Sequence, residues 1–196
     1  MSWTTPHTRA NAAPRVARVC AVAASLVAVQ LAASGTALAA PCADAGLIPT
    51  SANGTRTATA TLCLVNAERT RRHLGALRAN AQLTRSATGH TRDMVAADYF
   101  DHVSPAGRTL LDWVQDGSYL RRGMAYELGE NIALGTLQLA TPAAIVDGWM
   151  ASPGHRRNIL NADFTDSGIG IVAQAPSQYA EGLAGATYTQ QFGARA

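Results

Sequence analysis

The spacing of apolar residues changes once along this chain, near Asp166, and that change limits the fold more than any other feature. Before it, apolar side chains recur every three or four residues, which gives a helix one buried stripe. After it, Gly168 to Gln174 and Ala186 to Phe192 alternate with a period of two, as strands do. A polar loop carrying Pro176, Gly182 and Gly185 joins them. Helices first and strands last predict an α+β fold in which helices cover a small antiparallel sheet.

The helical part divides at clear signals. A first helix is expected from about Thr57 to His73, with Ala58, Leu62 and Val65 on its apolar face. Glu68, Arg69, Arg71 and Arg72 crowd its end, and Gly75 stops it. Asn80 caps a second helix reaching about Asp98. The stripe of that helix reads Leu83, Ala87, His90, Met94, Ala97, so His90 faces inward. Leu110, Leu111 and Val114 predict a short helix ending at Gly117. Thr141-Pro142 opens another, with proline at its first position and Ile145, Val146, Trp149 and Met150 as its stripe. The stretch Ser152 to Asn161, SPGHRRNILN, ends it. Pro153 and Gly154 break the helix and place His155 on a turn, and Ile159 and Leu160 anchor the segment.

The first 39 residues read as a secretory signal peptide. Arg9, Arg15 and Arg18 precede an apolar run from Val19 to about Ala33, and Ala37-Leu38-Ala39 supplies small residues for cleavage after Ala39. The competing reading, a membrane anchor, needs about 18 strongly apolar residues, and this alanine-rich run falls short of them. No second run of spanning length appears, so no integral membrane segment is expected after cleavage. All sixteen basic residues are arginines, and three lie in the signal; thirteen then face thirteen Asp and Glu. A balanced chain lacks the basic surface that nucleic acid requires. Cys20 leaves with the signal. Cys42 and Cys63 remain, an even pair in an exported chain, and a disulfide between them is expected, against a metal pair or two free thiols. Residues 40–55, rich in Ala, Ser, Thr, Gly and Pro, form an N-terminal arm.

Four histidines survive processing: His73, His90, His102 and His155. His73 sits beside arginines at a helix end and reads as solvated. His90 reads as a satisfied core histidine. His102 and His155 each lie on a turn beside a helix terminus. Glu130, in Gly129-Glu130-Asn131 ahead of Ile132-Ala133-Leu134, enters an apolar segment and so needs a partner. His102, Glu130 and His155 together could ligate a divalent ion, act as acid and base around a cavity, or hold one another. No G-x-S-x-G elbow or glycine-rich phosphate loop is present.

Several segments in order resemble the CAP superfamily, named for cysteine-rich secretory proteins, antigen 5 and plant pathogenesis-related 1 proteins, and its short bacterial branch above all. They are LVNAERTRRHLGALRANAQLTRSATGHTRDM (Leu64 to Met94), FDHVSPAGRT (Phe100 to Thr109), GENIA (Gly129 to Ala133), GWMASPGHRRNIL (Gly148 to Leu160), SGIGIV (Ser167 to Val172) and YTQQFG (Tyr188 to Gly193). They span nearly all of residues 56–196, which the resemblance makes one domain with an α-β-α sandwich fold and a central cleft. Eukaryotic members line that cleft with two histidines and two glutamates, and some hold a divalent metal such as zinc there. By resemblance His102 is the first histidine, Glu130 the first glutamate and His155 the second histidine. The second glutamate is expected three residues after Trp149, where this chain has Ser152. His90 could substitute for it, and Asn131 and Asn158 are secondary candidates beside the site. One carboxylate fewer lowers both ligand count and compensating charge.

The resemblance carries three functional expectations. The first is a secreted binding module whose cleft takes a small apolar ligand (sterol or lipid) or a peptide. The second is a metal-assisted extracellular hydrolase. The third is a structural or interaction protein of the envelope, released or loosely associated with the cell wall. Oligomeric state is not legible.

Overall fold

The computed structural model describes residues 42–195. The expected signal peptide lies outside them. Helices and strands follow the order α1 (Gly54–Thr70), β1 (Arg78–Ala79), α2 (Ala81–Ala96), α3 (Leu110–Asp116), β2 (Tyr126–Thr136), α4 (Pro142–Ala151), α5 (Pro153–Ile159), β3 (Asp166–Val172), α6 (Ser177–Ala180) and β4 (Gly185–Arg195). A 3-10 turn, Leu137–Ala140, links β2 to α4.

The sheet order is β1-β3-β4-β2. The three long strands are antiparallel, and the two-residue β1 joins β3 in parallel, which makes the sheet mixed. Alternation along β4 explains why both faces are covered. Ala186, Tyr188 and Phe192 enter the larger core with Val65 of α1, Ile145, Val146 and Trp149 of α4 and Ile159 of α5. Thr189 points the other way and meets Thr91 of α2 at 2.8 Å. Helices therefore flank the sheet on both sides, the α+β sandwich expected. On the second face α2 lies directly on β3. A Cβ at Gly168 would sit 2.1 Å from the Leu83 carbonyl carbon, and one at Gly170 2.4 Å from that of Ala87.

Most expected elements are present. Asn80 caps α2 through its side chain, which accepts from the backbone N–H groups of Gln82 and Leu83. Leu83, Ala87, His90 and Met94 form the buried stripe, while Ala97 lies exposed beyond it. Thr141 and Pro142 start α4. Cys42 and Cys63 form the expected disulfide.

Two expectations are corrected. Helix α1 runs from Gly54 to Thr70, and His73, exposed at φ 60°, follows its end before Gly75 is reached. Within the charged cluster at that end, Arg69 turns into the interior. It is 1 % exposed, and its guanidinium donates to the carbonyls of Gly75, Ile159, Asn161 and Phe164. His155 is not on a turn. Ser152 ends α4 and starts α5 at once, because proline at a first helical position begins a helix as readily as it ends one.

Strand β2 was not legible as a strand. It lies at the sheet's edge, pairs only with β4 and has neighbours on both faces, so its sequence YELGENIALGT shows no clean alternation.

Candidate functional site

The site gathers at the free edge of β2. Strand β2 presents Glu130 toward α2 and the next residue, Asn131, toward α5. Helix α2 supplies His90 from its buried stripe. The segment after α2 supplies His102, and α5 supplies His155 from the opposite face.

Glu130 is 7 % exposed. His102 Nδ1 lies 2.8 Å from its Oε1, His90 Nδ1 lies 2.9 Å from its Oε2, and Gln191 Nε2 donates to Oε2 at 3.0 Å. The carboxylate that needed a partner has three. Burial pushes the Glu130 carboxyl upward, but the bonds from His102 and His90, the His90 charge and the bond from Gln191 outweigh it and hold the carboxyl below its usual range. The same bond raises the His102 imidazole above its ordinary value, against partial burial. His155 moves the other way, lowered by burial and by the nearby His102 charge.

His90 is completely buried and lies flat on Trp113, with ring centroids 5.1 Å apart and planes 12° apart. The guanidinium of Arg108 also stacks on Trp113, 3.4 Å from the ring centre. The second nitrogen of His90, Nε2, faces the Asp101 carbonyl at 3.1 Å.

His155 makes no hydrogen bond or ion pair with Glu130. It is placed through the backbone: its carbonyl accepts from Asn131 Nδ2 at 3.1 Å, and Asn158 Nδ2 donates both to Asn131 Oδ1 at 2.8 Å and to the Glu130 carbonyl at 3.0 Å. The two asparagines thus fasten α5 to β2 and fix where the histidine stands.

Beside His155 an apolar groove of ≈ 380 Å³ runs along the outer edge of β2. Phe100, Ile132, Leu139, Ile145 and Trp149 line it, together with the polar Ser152 and His155. Trp149 Nε1 donates to the Ile132 carbonyl at 3.1 Å.

The structure brings His102 and Glu130 together, with His155 close enough to feel the His102 charge. The sequence singled out His90 but placed it among core histidines; its bond to Glu130 makes it part of the site. Gln191 and Trp113 were missed. Gln191 lies in YTQQFG, whose period-two pattern puts alternate residues on the Glu130 side of the sheet. Nothing in the sequence marks Trp113 as the stacking partner of His90.

Zinc can be tested against these atoms. Both Glu130 oxygens are engaged by N–H donors, and Nδ1 of His102 is spent on one of them. Ser152 supplies no second carboxylate. Among the described residues no three His, Cys, Asp or Glu side chains converge to hold an ion. The residues as placed do not fit a resident divalent metal.

Among the described residues, six helices on a four-stranded sheet with a Glu130-centred cluster define the class, and the sequence agrees. This chain belongs to the CAP (Cysteine-rich secretory protein) family, whose profile matches residues 62–192. It is similar to the uncharacterized protein YkwD of Bacillus subtilis (strain 168), 38 % identical over 130 residues, covering 66 % of this chain and 44 % of that protein. It is also similar to the uncharacterized membrane protein YlbC of the same strain, 36 % identical over 110 residues, covering 56 % and 30 %. The chain therefore spans less than half the length of these relatives. A solved extracellular protein with an SCP domain from Bacillus anthracis superposes with a TM-score of 0.58 at 33 % identity, over 71 % of this chain and 40 % of that one. An outer surface protein from Borrelia burgdorferi shares the fold alone, with a TM-score of 0.54 at 17 % identity over 69 % and 90 %. Among the described residues no helix is long and apolar enough to cross a membrane.

Proposed function

We propose that this chain is a secreted binding module that holds a small apolar molecule, a lipid or sterol, in the groove along β2. The polar end of the ligand lies toward Ser152 and His155. One observation supports this above others: an apolar slot of ≈ 380 Å³ includes two polar side chains, Ser152 and His155, in its lining. Its size lies within the small-molecule range of about 300–1,000 Å³.

A peptide is the less favoured occupant. A peptide adding to a strand edge relies on free backbone groups, and on β2 the carbonyls of Glu130 and Ile132 are taken by Asn158 and Trp149. A second apolar groove of ≈ 410 Å³ between α1, α2 and β3 has no titratable side chain and lies away from the histidines. It is set below the first for that reason. The signal-like N-terminal sequence, together with the extracellular description of the Bacillus anthracis relative, supports an extracellular location, free or loosely held at the wall.

The test is titration with a labelled fatty acid and a labelled sterol, followed by Trp149 fluorescence. Saturable binding near one ligand per chain is expected. Gly148 lines the groove, and a Cβ there meets nothing within 4 Å, so Gly148→Leu fills the slot without disturbing its walls. Binding should vanish in that variant. No uptake of either ligand, or equal uptake by Gly148→Leu, sinks the reading.

A second reading is favoured by the opposite shifts of His102 and His155, the pattern of an acid–base pair. Hydrolysis would then need no metal. A chromogenic ester whose turnover falls at least tenfold in both His102→Asn and His155→Asn would support it. Turnover unchanged in either would remove it.

A further inference from the structure

We infer that the Glu130 carboxylate is closed by protons of the protein's own side chains, with His90 as an internal cation occupying the role a divalent metal would otherwise have. The argument is an inventory of donors and acceptors. A carboxylate can only accept, and so can a backbone carbonyl. His90 lies between one of each: Glu130 Oε2 at 2.9 Å from Nδ1, and the Asp101 carbonyl at 3.1 Å from Nε2. A neutral imidazole has one bare nitrogen, which would point a lone pair at an oxygen in a completely buried position. Only the ring carrying both N–H groups satisfies the two contacts at once. The ring lies face to face with Trp113, whose π surface favours a cation.

The consequence follows from charge. A metal held by His102, Glu130 and His155 would bring two positive charges to one carboxylate, beside a buried imidazolium already paired with it. Ser152 adds no negative charge to offset them. Sharing an ion with Glu130 through Nδ1 would also cost His102 its 2.8 Å bond to that carboxylate. Each step costs energy that the intact pair does not. The His90–Glu130 pair is thus the resident form of this site, and that holds whatever the groove carries.

Two measurements on the wild-type protein test this. In long-range proton–nitrogen NMR spectra of ¹⁵N-labelled protein, both His90 nitrogens should show the protonated signature at neutral pH. One bare His90 nitrogen overturns the inference. In calorimetric titration with zinc or cobalt(II), wild type, His102→Ala and His155→Ala should agree within about twofold. One tightly bound equivalent, weakened tenfold or more by His102→Ala, also overturns it. Failure of lipid binding would leave both results untouched, so this inference and the proposed function fail separately.

Discussion

Asn158 donates its side-chain amide to the backbone carbonyl of Glu130, 3.0 Å away on the outer edge of β2. Two residues along the same edge, Trp149 closes the Ile132 carbonyl in the same way. An end strand with open carbonyls invites pairing with other chains. Here side chains from α4 and α5 occupy the edge and turn it into the wall of a groove. Asn158→Ala leaves the Glu130 carbonyl and Asn131 Oδ1 without a donor. It should cost about 1–3 kcal/mol in urea unfolding. Asn158→Asp, which sets a carboxylate against two acceptors, should cost more. A cost below that of Asn158→Ala would break this account of the edge.

The two imidazoles should give stability opposite pH slopes. His102 is raised, so its contribution is complete below the unfolded value of about 6.5 and fades as pH rises through the higher folded value. His155 is lowered, so its contribution is complete above about 6.5 and fades as pH falls through the lower folded value. Across about pH 5 to 8 the two contributions therefore oppose each other. His155→Asn should lose stability as pH rises across that window, and His102→Asn should gain it. Thermal unfolding at several pH values reads both; parallel slopes in the two variants would contradict the arrangement.

Glu130 sets the acid limit. It is held low, so the stability it contributes is present above the unfolded value of about 4.3 and lost as pH falls through its lower folded value. Glu130→Gln should flatten the acid limb of the stability curve. It should also be destabilising at pH 7, since it leaves His90 without a carboxylate. A steep acid limb that persists in Glu130→Gln would place the responsible group elsewhere.

What the sequence made legible follows from range. Asn80 and Thr141-Pro142 act within a few residues, so caps and starts could be read directly. The stripe that turned His90 inward was equally local. The burial of Arg69 was not legible because, apart from Gly75, its carbonyl partners Ile159, Asn161 and Phe164 lie 90 to 95 residues away. Strand β2 was hidden because an edge strand with neighbours on both faces has no simple period. The site divides the same way. His102, Glu130 and His155 stood out by their local settings and by resemblance, whereas the pairing of Glu130 with His90 and Gln191 spans 40 and 61 residues and exists only once α2 lies on the sheet.

That close approach depends on glycine. Gly170→Ala drives a methyl to within 2.4 Å of the α2 backbone, which cannot yield as a side-chain tip would. It should cost about 3 kcal/mol or more and loosen His90 with the helix. Gly148→Ala is the control. It lies exposed inside α4 with open space around it, and should stabilise by up to about 1 kcal/mol. Similar effects in the two variants would mean that α2 does not rest on β3 as described.

Arg69 supports the last prediction. Among the described residues its fully buried guanidinium has no carboxylate partner and is satisfied by carbonyls alone, from Gly75 in the loop after α1, from Ile159 at the end of α5, and from Asn161 and Phe164 in the segment leading into β3. A planar fork can reach several carbonyls at once, which a lysine ammonium cannot. Arg69→Lys should therefore be destabilising even though charge is kept, and Arg69→Met should lose about 3 kcal/mol or more as four carbonyls lose their donor. Because two of those carbonyls belong to Ile159 and Asn161, the lesion should extend to the α5 end that carries His155. Hydrogen exchange should show faster opening of residues 153–161 in Arg69→Lys, with α2 less affected. Uniform acceleration across the whole chain would mean that Arg69 supports overall stability without specifically holding α5.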